Sequence, residues 1–568
     1  MHQLSAFLPQ RKGHWLLLIA LAVIGGMVLT LSLDVYQGQG YFIHNVIQLC
    51  GRTVICSLLF VAFLFIGNGL YYLFSKKATH SKSSSKSPSR WALTFRCKNI
   101  VLYTAIMMAF WLPWLIALYP AAMNWDTYYQ ISQCYPGQYP VWLIPYAPTE
   151  SYISNTFSDH HPLFDTLLYG SFARVSDFFT GSWNLGVFAF ALCQSLILAI
   201  VLTSFISYLI TKWNMPLLGG MILFIFFTLF PIIPAYAATM IKDSTFLPPF
   251  LLLIFCLCEI VRTKGYVLRS KKFLVGFILI GCLCALTNKK GLYILLISLL
   301  VLIVAFRAHW RQIAIATIAP TILMVVIMPY VIFPILNVAP GGKQETLGVL
   351  FQQTARYVVD YEAEITPDEK QIIDNVLRYD TLADRYNPTW EDSVKFMWNP
   401  NASKSDLNAY FLVWLKEGLR HPMTYFQAAL APVSPFFSVG DLEIAWTTGD
   451  EQHAGSPLLW QPEELDMFRN ALHSAVSAMS EIPVIGLLFK APFWTLCLPL
   501  LAICLILACR KSLVPIFIPI AGYLVFCFIS PTYDTRYIVP LVFSLPLFLG
   551  LLFTVQAKNS RDEIAVQH

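Results

Sequence analysis

Stretches of roughly twenty apolar residues recur from one end of this chain to the other, and they leave it few folds. A run of that length crosses the hydrocarbon core of a bilayer as a helix, with its backbone groups satisfied inside the segment. Such runs fall near 15–33, 53–74, 100–119, 184–210, 217–238, 245–261, 273–288, 291–306, 313–336, 483–508, 513–531 and 538–556. They predict an all-α polytopic membrane protein of about twelve transmembrane helices. The chain is 57% hydrophobic and 12% charged, where soluble domains carry about 25% charged residues. The first run has no small-residue cleavage site and is followed by a second span, so it is expected to stay as a helix. The formal charge of +6 is small and gives no nucleic-acid signal. Of thirteen cysteines, most lie inside apolar runs as small core residues; only Cys50 and Cys134 are candidates for a disulfide.

Lysine and arginine orient the spans. The segment 75–98 holds Lys76, Lys77, Lys82, Lys86, Arg90, Arg96 and Lys98 and no acid, which marks a flexible cytoplasmic linker. Counting outward from it puts both termini in the cytoplasm, Lys558 and Arg561 of the tail included. Three parts result. Residues 1–336 form a transmembrane module with its large outer loop at 120–183. Residues 337–481 form an extracytoplasmic segment, and 482–568 carry the last spans and the tail. Within 337–481, helices are expected at 346–361, 367–379, 407–419 and 463–479. Thr366 before Pro367, Asp368 and Glu369 is a strong helix start.

Four cations break the positive-inside pattern: Lys242, Lys289, Lys290 and Arg536 sit at outer ends of spans. Acids and amides join them on that face. Asp126 lies between Trp125 and Tyr128 just past the third span; Asp159, His160 and His161 follow in the same loop; Asp243, Asn288 and Asp534 flank the cations. A carboxylate beside a bilayer is costly unless a cation, metal or substrate offsets it. A base and several cations at head-group depth suit chemistry on a lipid phosphate. The carboxylate would take a proton from an attacking hydroxyl, and the cations would hold the phosphate as it gains charge. Each group also has a plainer reading: Asp126 capping a helix, Lys242 neutralising Asp243, Arg536 pairing Asp534, and Gln352 and Arg356 forming a helix surface. The histidines and acids have the residue types of a metal site without diagnostic spacing, so no cofactor is required and a divalent metal stays open.

The run from Asp159 through His160, His161, Pro162 and Leu163 to Leu167 and Leu168 is similar to the loop motif of protein O-mannosyltransferases, with one histidine standing where that motif has proline. The stretch 346–395, with Gln352, Gln353, Arg356, Tyr386, Asn387, Pro388 and Asp392, resembles a bacterial branch of the same superfamily. Together with the topology, the chain resembles the GT-C superfamily of membrane glycosyltransferases; two spans precede the large outer loop here, where one is usual. The resemblance implies a sugar donor linked to a polyprenyl phosphate and a catalytic acid in the first large outer loop, which points to Asp126. Asp159 or His161 would then position substrate, Lys242, Lys289, Lys290 and Arg536 would bind phosphate, and His160, Asp243, Asn288, Gln352, Arg356 and Asp534 would line the substrate site. The partners would be the lipid-linked donor, a glycan or lipid-linked acceptor and the membrane lipids themselves. Other readings stay open from the residues alone: a polysaccharide polymerase or ligase, a lipid-linked substrate transporter, and a membrane scaffold. No Gly-x-Gly-x-x-Gly occurs in a strand-helix setting, which fits a lipid donor better than a nucleotide-sugar.

Overall fold

The computed structural model describes residues 12–81, 99–136, 140–141, 152–153, 157–447 and 458–554. The basic linker from Lys82 to Lys98, the tail with Lys558 and Arg561, and parts of the outer loop at 137–139, 142–151 and 154–156 lie outside the described residues. The described residues are 79% helical with almost no sheet.

The chain opens with a hairpin of two long helices, α1 (Lys12–Gln37) and α2 (Val46–Ser81). Gly26 lets them close together: a Cβ there would stand 2.6 Å from the Ser57 backbone nitrogen. Asp34, fully buried, closes the turn by accepting the backbone N–H groups of Ile43 and His44 and pairing with His44 and Arg52. Next come α3 (Ile100–Ala117), α4 (Trp125–Ser132), α5 (Leu163–Thr180), α6 (Asn184–Lys212), α7 (Leu217–Leu229), α8 (Ile232–Ala237), α9 (Lys242–Arg262), α10 (Lys271–Thr287) and α11 (Lys289–Ala305). A further apolar stretch holds α12 (Trp310–Ile322), a wider π-turn stretch (Leu323–Ile332) and α13 (Phe333–Leu336).

The segment 337–481, expected from the sequence to lie outside and called the outer segment on that ground, carries α14 (Gly348–Tyr361), α15 (Pro367–Asp374), α16 (Tyr379–Arg385), α17 (Asp392–Lys395), α18 (Lys404–Arg420), α19 (Pro422–Leu430), α20 (Ser434–Phe437) and α21 (Asp466–Ser480). The chain ends with α22 (Leu498–Cys509), α23 (Val514–Cys527) and α24 (Val539–Leu552). As its residues predict, Thr366 caps the start of α15, and Glu369 closes a reciprocal capping box with it.

Seven helices among the described residues are long and apolar enough to cross a membrane: Gly13–Gln37, Val46–Tyr72, Ile100–Ala117, Asn184–Lys212, Lys242–Arg262, Arg307–Leu336 and Thr535–Leu552. Three shorter apolar helices lie at Leu217–Leu229, Phe493–Cys509 and Lys511–Cys527. The long run at 217–238 is cut at Phe230 and Pro231, because Pro231 cannot donate the backbone hydrogen bond that a continuous helix needs there.

The outer segment does not pack as one unit. Residues from Phe351 to Val413 build a small core of their own, whereas Val433, Phe436, Phe437, Leu442 and Ile444 join the main core with α3, α6, α9 and α24. Strands are two residues long. β1 (Pro140–Val141) pairs antiparallel with β2 (Tyr152–Ile153), and β3 (Phe157–Ser158) pairs parallel with β4 (Val338–Ala339). The second pairing ties the loop carrying Asp159, His160 and His161 to the start of the outer segment. Cys50 and Cys134, the two candidates for a disulfide, are both free, the first exposed and the second buried.

Candidate active site

Local chain chemistry places Asp126. Asn124 caps α4, its side chain accepting the Thr127 N–H at 3.2 Å. The Thr127 hydroxyl donates to the Met240 carbonyl at 2.6 Å, and the Met240 N–H donates to the Ala122 carbonyl at 2.9 Å. These bonds clamp the start of α4 against the start of α9. Asp126 is therefore not the cap; it stands one residue into the first turn, facing Lys242.

Three basic groups converge on that carboxylate. Lys242 Nζ donates to Asp126 Oδ2 at 2.9 Å, and Arg536 Nη1 donates to the same oxygen at 2.8 Å. His161 Nε2 lies 3.7 Å from the other oxygen, Oδ1. Lys242 Nζ also sits 3.0 Å from His161 Nδ1. An ammonium can only donate, so Nδ1 accepts and the proton of the neutral ring sits on Nε2, toward Asp126. Burial raises the Asp126 carboxyl pKa, but Lys242, His161 and Arg536 together outweigh burial and hold it well below the ordinary carboxylate range. Burial, joined by Lys242, pushes the His161 pKa well below its usual value against the pull of Asp126. The pair is thus a carboxylate and a neutral imidazole. The Asp126 side chain keeps 22% of its exposure, and Oδ1 has no close donor, so one oxygen of the carboxylate is left uncommitted.

The remaining candidates divide among three places. Arg536 Nε lies 3.0 Å from Asp534 Oδ2, and its backbone N–H donates to Asp534 Oδ1 at 3.0 Å. Burial raises the Asp534 pKa while Arg536 opposes it. Asp534 thereby orients the guanidinium without taking it from Asp126. Lys242 does not neutralise Asp243: that carboxylate accepts from Asn288 at 3.2 Å and from the Tyr523 hydroxyl at 3.3 Å, and its Oδ2 is buried without a partner. Lys290 lies over the Tyr537 ring at 4.2 Å, with Tyr523 and Phe526 at 5.8 and 5.7 Å. It has no carboxylate within ion-pair distance among the described residues. Lys290 therefore borders the cluster as a cation held by aromatic faces.

Asp159 and His160 turn toward the outer segment. Asp159 pairs with Lys289 at 3.2 Å, and the same ammonium reaches the Asp159 carbonyl. Burial raises the Asp159 pKa and Lys289 opposes it. His160 packs edge-on against His161 and lies 3.7 Å from Glu345, which also pairs with Lys395. Asp159 and Lys289 close the rim here, and His161 alone of the triplet reaches Asp126.

Gln352 and Arg356 belong elsewhere, which corrects their expected place in the substrate site. Gln352 donates to the Asn387 carbonyl at 2.6 Å. Arg356, fully buried, pairs with Asp360 at 2.7 Å, donates to the Gly40 carbonyl at 3.0 Å and the Tyr386 hydroxyl at 3.2 Å, and stacks 3.4 Å above the Tyr41 ring. Its donors are taken by the protein. Of the aromatic residues beside Asp126, Tyr128 is buried against Trp183, whereas Trp125 is half-buried and stacks on Tyr129.

Sequence reasoning missed Asp165, Tyr523, Tyr537 and Glu345. Asp165 is fully buried with both oxygens unpartnered, and burial raises its pKa well above the usual carboxylate value. Its place, four residues after His161 and thus one turn along α5, was the available signal. Tyr523 sits within an apolar run and gave none. Among the described residues no three His, Cys, Asp or Glu side chains are grouped to hold a metal ion.

Residues 4–567 match the model of a family of unknown function, DUF6020. No curated protein and no solved structure matches the chain significantly. The chain belongs to the DUF6020 family, whose model spans nearly its whole length.

Proposed function

We propose that this DUF6020 member is a GT-C-type glycosyltransferase of the cell membrane, with twelve spans and both termini in the cytoplasm. It moves one hexosyl or pentosyl unit from a polyprenyl-phosphate carrier to a hydroxyl of a cell-surface glycan or lipid-linked acceptor on the outer face. The observation that carries the reading is the Asp126 carboxylate, bound on one oxygen by Lys242 and Arg536 and left open on the other.

In this mechanism the acceptor O–H gives its proton to Asp126 Oδ1 as its oxygen bonds to the sugar C1. The bond from C1 to the phosphate oxygen breaks, and the phosphate leaves with the electron pair. Lys242 and Arg536 stabilise that charge, with Lys290 beside them. A carboxylate gripped by two cations is a weak base, since a good general base has a pKa near the working pH. Donor phosphate shares those cations, so the base gains strength as the donor arrives. His161 Nε2, 3.7 Å from that open oxygen, borders the place where the acceptor hydroxyl would sit. The leaving phosphate is a weak base and needs no matched acid, unlike the leaving group in two-carboxylate glycosidases.

A second reading has one observation behind it. Asp165 and Asp243 Oδ2 are buried and unpartnered near Lys242, as in a proton-coupled carrier of lipid-linked substrate. Purified protein in detergent separates the two. An enzyme transfers labelled sugar from a polyprenyl-phosphate-linked donor without a sealed membrane, and a carrier does not. Mass spectrometry of surface glycans from cells with and without the protein identifies the product; unchanged glycans contradict the enzyme reading. Cysteines placed at Lys272 and Asn401 test orientation. The first is expected to label only after the membrane is opened, the second in intact cells, and the reverse pattern removes the lipid-donor argument.

A further inference from the structure

Helices α18 and α19 have one face that the protein satisfies and another that it leaves bare. On the inner face, Tyr410 and Val413 are buried, and the Tyr410 hydroxyl meets Thr354 at 2.8 Å. Gln353 of α14 braces both helices: its side-chain oxygen accepts from Trp414 Nε1 at 3.0 Å and its amide donates to the Tyr425 carbonyl at 3.1 Å. Gly418 permits the close approach of the pair, because a Cβ there would stand 2.9 Å from the Tyr425 ring.

The outer face carries Leu412, Leu415 and Leu419, spaced three and four apart on one side of α18, then Met423 and Phe426 on α19. Leu412 and Leu419 are 70% and 75% exposed, and the other three are 45–58% exposed. The first half of α18 exposes Lys404, Ser405 and Asn408 instead, so the apolar face is confined to the second half. Soluble proteins seldom leave a contiguous apolar patch of this kind uncovered.

Its position says what covers it. Phe426 packs against Phe42 at 6.2 Å, immediately before Ile43, Val46 and Ile47, which are exposed where α2 begins. From there the bare face of α2 runs on through Val54, Ile55, Leu58 and Leu59. The patch is thus continuous with the lipid-facing side of a membrane-crossing helix. The joint is stiff: Arg356 stacks on Tyr41 and bonds the Gly40 carbonyl, and the Tyr41 hydroxyl donates to Asp360 at 2.8 Å. Lys416 and Arg420, which alternate with the leucines, reach Glu369 on the covered side, at 2.7 and 3.4 Å. That leaves cations at the margin of the patch, at the level where lipid phosphates lie.

We infer that Leu412, Leu415, Leu419, Met423 and Phe426 form an apolar keel resting in the bilayer leaflet that the α1–α2 turn reaches, with phospholipid acyl chains as its partner. The keel fixes the small outer core at a set height on the membrane. It rests on the membrane reading of the fold and not on the sugar-transfer reading.

The test uses the full chain in phospholipid nanodiscs, with benzoylphenylalanine in place of Leu412 or Leu419. Leu58 on α2 serves as a lipid-facing control and Ser405 as a polar one. After irradiation, intact-mass analysis is expected to find a phospholipid-mass adduct at 412 and 419. Its yield should match that at Leu58 and exceed that at Ser405 by about ten-fold, as for an interfacial helix. These exposed positions leave the fold undisturbed, and labelling at Leu58 in the same preparation reports an inserted protein. Cross-linking at 412 and 419 to a second copy of the chain would overturn the proposal, because a protein surface would then cover the face. Absence of any adduct there, with Leu58 labelled, would overturn it too, because the face would then lie in water.

Discussion

Arg356 and Arg536 each pair with an aspartate and lie over a tyrosine ring, at 3.4 Å for Tyr41 and 4.9 Å for Tyr537. They differ in what remains for anything else to bind. Arg356 is fully enclosed, and its Nε aligns with Asp360 in a proper hydrogen bond at 2.7 Å while Gly40, Tyr386 and Gln427 take other N–H groups. Arg536 Nε lies 3.0 Å from Asp534 yet makes no aligned hydrogen bond, and the aspartate it shares with Lys242 keeps an open oxygen. An arginine with a partner at each of its three nitrogens fastens a fold. One that shares a partially exposed carboxylate with a second cation, and has a donor misaligned, is the one assigned to phosphate in the proposed mechanism. Charge and burial alone do not separate the two; the state of the partner atoms does.

The comparison can be broken by stability first. Arg356→Ala strips the clamp between α14 and the α1–α2 turn and leaves Asp360 without its cation. Breaking a buried pair costs about 3–5 kcal/mol, and thermal unfolding should show that loss, while protein that remains folded transfers sugar within a few-fold of wild type. A stable Arg356→Ala protein with lost donor binding would put Arg356 back in the substrate site.

A second probe lies on the seam between the regions. The Glu391 N–H bonds the Pro531 carbonyl at 3.0 Å, five residues before Arg536. Burial lifts the Glu391 pKa to about 7, with Lys395 opposing and Asp392 and Glu345 adding. The folded value lies above the unfolded one, near 4.5, so the folded state holds the proton more tightly and stability falls as pH rises from about 4.5 to 7. Glu391→Gln should remove that dependence, worth on the order of 2–3 kcal/mol. Melts at pH 5 and pH 8 check it: wild type should lose stability over that interval by more than the variant does.

Arg536→Ala should invert the Arg356 result. Loss of a charge-assisted contact to phosphate costs about 1.5–3 kcal/mol, or roughly ten- to more than a hundred-fold in donor affinity. Lysine at the same position should restore only part, because it lacks the planar fork. Equilibrium binding of a polyprenyl-phosphate donor reads this directly, and unchanged affinity in a folded variant assigns Arg536 to its pairs with Asp126 and Asp534. Lys289→Ala should do least. Its pair with Asp159 is 45% and 27% exposed, and such surface pairs contribute about 0–1 kcal/mol.

How much of this was legible follows from what sequence patterns encode. The apolar runs and the helix start at Thr366 are local in sequence, and helices form over most of them, with the run at 217–238 broken at Pro231. Cations at span ends where the positive-inside rule expects none pointed to Lys242 and Arg536, because charge against a topological rule needs no contact map. Their meeting on one oxygen of Asp126, from α4, α9 and the turn before α24, joins residues hundreds of positions apart and left no local trace. Gln352 and Arg356 misled for the same reason: a helix face with an arginine reads alike whether it meets a ligand or Tyr41. The split of the outer segment between two cores was also hidden, since Phe436 and Val413 are equally apolar and differ only in what they touch.

The account turns on Asp126 as the base. Asp126→Asn keeps shape and hydrogen-bonding capacity and loses the proton acceptor, and Lys242 and Arg536 stay in place to hold phosphate. In purified protein given a labelled polyprenyl-phosphate-linked sugar and acceptor, transfer should fall by at least about 100-fold, the scale of general-base catalysis. Donor binding should persist, and Asp159→Asn should lose less. Transfer by Asp126→Asn within a few-fold of wild type would contradict the account and pass the base to another carboxylate.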